Sequence, residues 1–329
     1  MEWWRLRAYH GKAAISRFWL EDVHHMRREA WKSWGAWKNW ALGAAASLLG
    51  GGSAWATPVN GGIDFQRPVT ETAKRVQAFH TEVLIIITVI TIFVTALLLW
   101  VMIRYNKKAN PVPKKFSHNT MVEIIWTVAP VLILVWIAKG SFPLLYEQDV
   151  MFNGEQVEES EVVDIKVYGN MWYWDYTYNQ NTDKEFIIES RMLKAGDEAR
   201  PLKPERGDIG QLSVDNPMVA PVGRYVRLKI SAKDVIHAWA MPQFALKVDA
   251  VPGRLNQLWF KVDEPGIYYG QCSELCGKDH SNMPIELRIL PQAQYDQWLA
   301  AAQADPTNGG RAYLDSLPRP SATQVAAAQ

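Results

Sequence analysis

Two apolar runs limit the folds open to this chain more than any other feature. From Val83 to Ile103 the side chains are almost continuously apolar, and a second run goes from Val122 to about Ala138, extending toward Tyr146 with Pro130 inside it. Each is about long enough to cross a hydrocarbon core of ~30 Å as a helix. A proline inside such a helix is tolerated where neighbours satisfy the freed carbonyl. Between the runs lie Arg104, Lys107, Lys108, Lys114 and Lys115, with no acid from Arg104 to Thr120. The segment beyond carries Glu147, Asp149, Glu155, Glu158, Glu159 and Glu161. The positive-inside rule then places the connecting loop in the cytoplasm and both ends of the hairpin outside. The expected layout is a periplasmic segment over 57–80, spans at 81–104 and 121–146, and a cytoplasmic loop at 105–120.

Ahead of the hairpin, residues 1 to about 39 are basic and rich in Trp, followed by a small apolar run from Trp40 to Ser53 that ends Ala54-Trp55-Ala56. This pattern reads as a secretory signal, 1–56, cleaved after Ala56. A start at Met26 would give a signal of ordinary length, and a retained N-terminal anchor is the alternative.

After about Val150 the pattern changes to short segments split by turns: Glu161-Tyr168, Trp172-Tyr178, Glu185-Glu189, Tyr225-Ser231, Asn256-Val262, Gly266-Gln271 and Ile285-Leu290. Short strands with turn signals predict a β-sandwich or barrel over 150–290. The polar stretch Arg191 to about Ser213 reads as an exposed loop between strands. Within 291–329, Tyr295, Trp298 and Leu299 recur at helical spacing, and the Ala/Pro/Gly-rich segment from Asp305 reads as a flexible tail. A net charge of +1 gives no pull toward nucleic acid, and there is no Gly-rich phosphate loop, no Ser/His/Asp set at a recognisable spacing and no Cys-x-x-Cys-His.

The chemistry concentrates in one loop, Gly270 to Pro284. It holds the only two cysteines, Cys272 and Cys276, with His280 four positions on and Met283 three beyond that. His237 lies upstream, and with His280 it is the only histidine after His118. Two thiolates, imidazoles and a thioether form a soft donor set that suits copper. The residues alone leave open a Cys272–Cys276 disulfide and a structural zinc site, although zinc rarely recruits a thioether. A mononuclear blue-copper site has one thiolate too few to match. Two thiolates can instead bridge two copper ions, each completed by one His and one weak ligand, Met283 or a backbone carbonyl of the loop.

With His237 upstream, this loop resembles the CuA site of cytochrome c oxidase subunit II, and the resemblance spans roughly Glu71 to Pro291. It implies a two-helix transmembrane hairpin followed by an all-β cupredoxin-like Greek-key domain. It implies that Cys272 and Cys276 bridge two copper ions, that His237 and His280 are the terminal imidazoles, and that Met283 and the Glu274 carbonyl are weak ligands. The Glu274 carboxylate would face a magnesium or manganese ion shared with the catalytic subunit. Trp172, in Gly-x-x-Trp-Tyr-Trp, would be the surface point where electrons come in. Strict alternation would put it on the face of Trp174, Tyr176 and Tyr178, so a bend must expose it.

Glu123, in Glu-x-x-Trp near the cytoplasmic end of the second run, would stand at the entrance of a proton path; an ionisable group there is a functional candidate in its own right. Asp215 and Asp234 are candidates for an acidic rim that steers cytochrome c. Asp249 and Arg254 match a segment that lies near the catalytic subunit. The implied function is electron transfer from cytochrome c through CuA to haem in subunit I, with subunit III as a further partner, in a bacterial inner (plasma) membrane with the copper domain in the periplasm. Oxygen reduction and proton pumping would belong to the complex. The main alternative is a membrane-anchored copper-delivery module. The full ligand set argues against a quinol-oxidising relative, and the two spans with Glu123 argue against a nitrous-oxide reductase domain.

Overall fold

The computed structural model describes residues 54–56, 64–154, 156–204 and 207–317, so the expected signal up to residue 53 and the tail beyond 317 lie outside the described residues. Two long helices come first. Helix α1 spans Glu71–Arg104 and α2 spans Thr120–Asp149. At ~1.5 Å per residue α1 is roughly 50 Å long, more than the hydrocarbon core needs. It starts ahead of the apolar run because the Thr70 side chain caps it, accepting from Ala73 N at 3.1 Å. Asn119 caps α2 in the same way, accepting from Val122 N at 3.2 Å. Along both helices the large apolar side chains face outward, Ile92, Leu98, Leu132 and Val135 among them. That is the surface of helices solvated by lipid, since among the described residues no core covers it.

The helices meet at three levels. Gly140 lies so near the Phe79 ring that an added Cβ would sit 3.0 Å from it. Trp136 Nε1 donates to Glu82 Oε1 at 2.5 Å, and Arg75 pairs with the buried Glu147. Small and polar residues at the contact are what lipid-exposed helices use in place of hydrophobic burial. α2 carries Pro143 as well as Pro130.

The β domain follows. Its strands are β1 (Ala54–Ala56), β2 (Val162–Asn170), β3 (Tyr173–Tyr178), β4 (Phe186–Ser190), β5 (Met218–Pro221), β6 (Tyr225–Ala232), β7 (His237–Met241), β8 (Leu246–Ala250), β9 (Asn256–Lys261), β10 (Gly266–Gln271) and β11 (Pro284–Leu290). One sheet has the order β4-β3-β2-β6-β9, a second β1-β10-β11-β5, and β7 pairs β8 as a hairpin. β2 and β6 run parallel although the chain between them is long, and so do β11 and β5. These crossovers make the cupredoxin-like Greek-key sandwich. β1 lies within the stretch expected to be a signal and pairs in parallel with β10. Cleavage after Ala56 would remove it.

Trp174, Tyr176 and Tyr178 point from one face of β3 into the core, none more than 1% exposed. Tyr178 stacks on Phe186 at 5.4 Å and meets Trp298 edge-on at 5.1 Å. Trp298 belongs to helix α3 (Gln292–Ala304), which is followed by α4 (Gly309–Ser316). Two sequence expectations are corrected here. Residues 309–316 are a helix rather than loose tail, because Leu314 is buried in the same core as Trp298 and Tyr295. The 191–213 stretch is not wholly exposed: Met192, Leu193 and Ser213 are buried, and Leu193 N donates to Ser213 O at 2.9 Å.

The hairpin is tied to the domain beside β7. Val69 N donates to Gln243 O and Thr70 Oγ1 to Phe244 O, both at 3.1 Å. The hairpin that begins with His237 is therefore fixed at its far turn to the start of α1.

Candidate metal centre

Two segments distant in sequence build the site. β7 starts at His237, whose side chain is fully buried. The loop between β10 and β11 supplies the rest, and Ser273 N donates to Ala238 O at 3.1 Å, fastening that loop to β7. Cys272 Sγ lies 3.9 Å from His237 Nδ1 and 3.9 Å from Cys276 Sγ. Cys276 Sγ lies 3.4 Å from both His280 Nδ1 and Met283 Sδ. The Glu274 carbonyl oxygen lies 3.4 Å from Cys272 Sγ, while the Glu274 side chain is exposed. Both cysteines are free.

Around these donors stands a second ring of contacts. Asp234 Oδ1 holds His237 Nε2 at 2.8 Å, and Asp234 Oδ2 accepts from Met171 N at 2.6 Å. Anchoring Nε2 orients the imidazole and presents Nδ1 to the sulfur, the usual job of a carboxylate behind a metal-binding histidine. Trp174 Nε1 donates to Met283 O at 3.3 Å. Trp172 is half-buried in the turn between β2 and β3, outside strand alternation, so it does not share the inward face of Trp174. Its Nε1 donates to Cys276 O at 3.1 Å. Gly277 has φ +119°, and a Cβ there would lie 3.1 Å from the indole.

Electrostatics separates the two thiols. Burial raises both, but in Cys272 hydrogen bonds from His237 and the Ala238 and Glu274 backbone outweigh it and bring the pKa to about 7. Cys276 is pushed up to about 12 by burial and by the charge on Cys272. His237 is lowered by burial yet raised on balance by its bonds to Cys272 and Asp234.

The donor set fits copper. His237, Cys272 and Cys276 bring their ligand atoms within 4.8 Å of one another, and the thioether and second imidazole adjoin them. The mixture is soft and nitrogen-bearing, without a carboxylate oxygen among the nearest donors.

Other residues singled out in the sequence lie elsewhere. Asp215 Oδ1 accepts from Arg191 N and Asn216 N, each at 2.7 Å, and closes the base of the 191–215 loop. It lines a small polar cavity with Arg288 and Arg311, and burial raises its pKa. The structure does not bring it to the sulfur cluster. Asp249 and Arg254 are exposed at and after β8. Glu123 is at the start of α2, where Oε1 accepts from Asn119 N at 3.3 Å. The sequence marks Asp234 as a docking acid and Trp174 as core, and the structure adds their contacts with His237 and with Met283 O. The Asp-x-x-His spacing across a turn was the available signal for Asp234.

Relatives decide the family. The chain is 43% identical over 252 residues to a probable cytochrome c oxidase subunit 2 of Rickettsia bellii, covering 77% of this chain and 88% of that one. The chain belongs to the cytochrome c oxidase subunit II family. A family model described as cytochrome C oxidase subunit II, periplasmic domain, matches residues 163–290, and one described as the transmembrane domain matches 58–144. Cytochrome c oxidase subunit 2 of Cereibacter sphaeroides is 40% identical over 272 residues, covering 79% of this chain and 85% of that one. The solved periplasmic domain of subunit II of cytochrome oxidase from Bradyrhizobium japonicum is 42% identical and covers 43% of this chain and 94% of that one, with a TM-score of 0.37. α1 and α2 form a transmembrane hairpin, and the His/Cys cluster on the β domain could hold a metal ion.

Proposed function

We propose that this chain binds two copper ions as a CuA centre, accepts electrons from cytochrome c and passes them to haem in oxidase subunit I. The observation that carries this is the pair of cysteine sulfurs 3.9 Å apart, each with a histidine Nδ1 beside it. Cys272, Cys276, His237 and His280 would hold the ions, with Met283 and the Glu274 carbonyl as weaker donors. When bound, such a pair of ions supplies one-electron storage shared over two metals. Everything else is the work of the chain. Burial of Cys272, Cys276, Met283 and His237, none more than 4% exposed, keeps water from the donors. The fastening of the loop to β7 restricts their movement. Trp172 offers an aromatic surface one hydrogen bond from Cys276.

The remaining assignments belong to the same proposal. The loop between α1 and α2, with its four lysines and with Arg104 closing α1, faces the cytoplasm of a bacterial cell, and the β domain faces the periplasm. The exposed Glu274 carboxylate would be a ligand for magnesium or manganese at the subunit I interface, Asp249 and Arg254 would support that metal or the haem propionates, and subunit III is a further partner. Glu123 opens a proton path, and Asp234, with Asp215 further off, contributes negative charge for docking. A copper-delivery module is the weaker reading, because delivery needs donors that a recipient can reach, and His237, Cys272, Cys276 and Met283 are buried.

The test is copper content and paramagnetism of the purified full-length chain. Two coppers per chain with one unpaired electron spread over both nuclei are expected. Zinc, or a single cupric ion, would refute the proposal.

A further inference from the structure

We infer that Gly169, which offers no ligand atom, sets where the His237 imidazole sits against the thiols and is a positioning residue of the copper site; the inference rests on the function proposed above. A Cβ at Gly169 would lie 2.7 Å from His237 Cδ2, 2.9 Å from Cγ and 3.0 Å from Cβ. Non-bonded carbons settle at about 3.5–4.0 Å, so these approaches are strongly repulsive. The need for glycine is one of contact alone. Gly169 sits in β2, paired with Trp174 and Ala232, and its φ is outside the left-handed region.

The ring is boxed in. Trp174 meets it edge-on with centroids 5.9 Å apart, and Asp234 holds Nε2. The two turns around it are joined: Lys233 N donates to Gly169 O at 3.1 Å, and Met171 N donates to Asp234. Lys233 Nζ and Asn170 Nδ2 both reach the buried Asp175 carboxylate, at 2.5 and 3.0 Å, which stiffens the same corner. A methyl group at 169 cannot be absorbed by one flexible side chain. It has to move the imidazole relative to Cys272, whose sulfur is 3.9 Å from Nδ1.

The experiment loads purified full-length wild type, Gly169→Ala and Gly210→Ala with copper, then compares visible absorption, nitrogen hyperfine couplings and midpoint potential. Gly210 is the control because a Cβ there meets only Leu202 Cδ2 at 3.8 Å. Altered couplings and a shifted potential are expected in Gly169→Ala, with Gly210→Ala matching wild type. Wild-type values in Gly169→Ala overturn the inference, whereas a wild-type chain lacking the two-copper signature overturns the function beneath it. Should Gly169→Ala fail to fold, His237→Gly and the Gly169→Ala/His237→Gly double variant are loaded in the presence of free imidazole, since removing the ring removes the clash. Imidazole is expected to restore the signature of the single variant and not of the double. Equal restoration in both overturns the inference.

Discussion

The indole nitrogen of Trp172 donates to the carbonyl oxygen of Cys276 at 3.1 Å, so a half-buried surface ring is one hydrogen bond from a residue of the sulfur cluster. The contact depends on Gly277, whose bare Cα leaves room for the ring. Trp172→Gln removes both ring and contact, and Trp172→Phe keeps a smaller ring without the donor. Electron input from reduced cytochrome c should fall by roughly tenfold or more, the effect of ~1.4 kcal/mol on a barrier. The copper spectrum should remain. Normal stopped-flow input in Trp172→Gln would remove the residue from the route.

Asp234 accepts from Met171 N, Val235 N and His237, so its first effect is on the turn that carries the imidazole. Loss of its side chain removes these bonds at about 0.5–1.5 kcal/mol each at most, since the two amides are exposed and can turn to water. Asp234→Ala should lower the melting temperature of the purified chain and alter the copper spectrum. Asp234→Asn, which still offers an oxygen to the backbone amides, should do less of both. A variant that changes only the salt dependence of cytochrome c binding would mark Asp234 as a docking charge alone.

Asp164 joins β2 to β6 through Arg227 and Lys229, with Arg227 Nε at 2.5 Å and Lys229 Nζ at 2.8 Å. Burial raises its pKa, but hydrogen bonds and charge from the two cations outweigh that, and the net shift is downward. The folded carboxyl is therefore the stronger acid. Its stabilising effect is present above the unfolded value of ~3.9 and fades as pH falls through the lower folded value. Melting temperatures measured from neutral pH to about pH 3 should fall less steeply in Asp164→Asn than in wild type. Parallel curves would count against the pair.

Leu314 tests whether the C-terminal helices belong to the core. It is 2% exposed, in the cluster that includes Tyr295 and Trp298. Leu314→Ala should cost about 2–5 kcal/mol, as for other buried leucines. Denaturant midpoints would show this directly. A midpoint unchanged from wild type would mean that α4 contributes nothing to the fold.

Lipid demands long apolar runs, so the hairpin stood out at once, and the sulfur loop stood out because Cys272, Cys276, His280 and Met283 are crowded into one turn of sequence. β5 and β7 did not stand out. Their residues are buried on both faces, which erases the period of two that marks a half-exposed strand. The second helix of the tail hid behind Gly309 and Gly310, which read as a breaker but lie inside α4. Gly169 is the hardest case, because its role is an empty volume against His237, and an absent Cβ leaves no chemical signature in a sequence.

Glu123 closes the start of α2, and the proposed proton-path role has to be separated from that contact. Its Oε1 accepts from Asn119 N at 3.3 Å while Asn119 caps Val122 N, an arrangement that closes the first turn of α2 reciprocally. A carboxylate there also favours the positive end of the helix dipole. Glutamine can still accept from Asn119 N but cannot carry a proton at neutral pH, whereas alanine loses both functions. If the side chain serves only the helix end, Glu123→Gln should consume oxygen at the wild-type rate and Glu123→Ala should merely be less stable. The proton-path role requires that both variants slow turnover of the assembled oxidase, with the copper spectrum unchanged in each because the site lies on the far side of the hairpin's spans. Oxygen-electrode rates on the purified complex decide between them, and wild-type turnover in Glu123→Gln would leave the residue with capping alone.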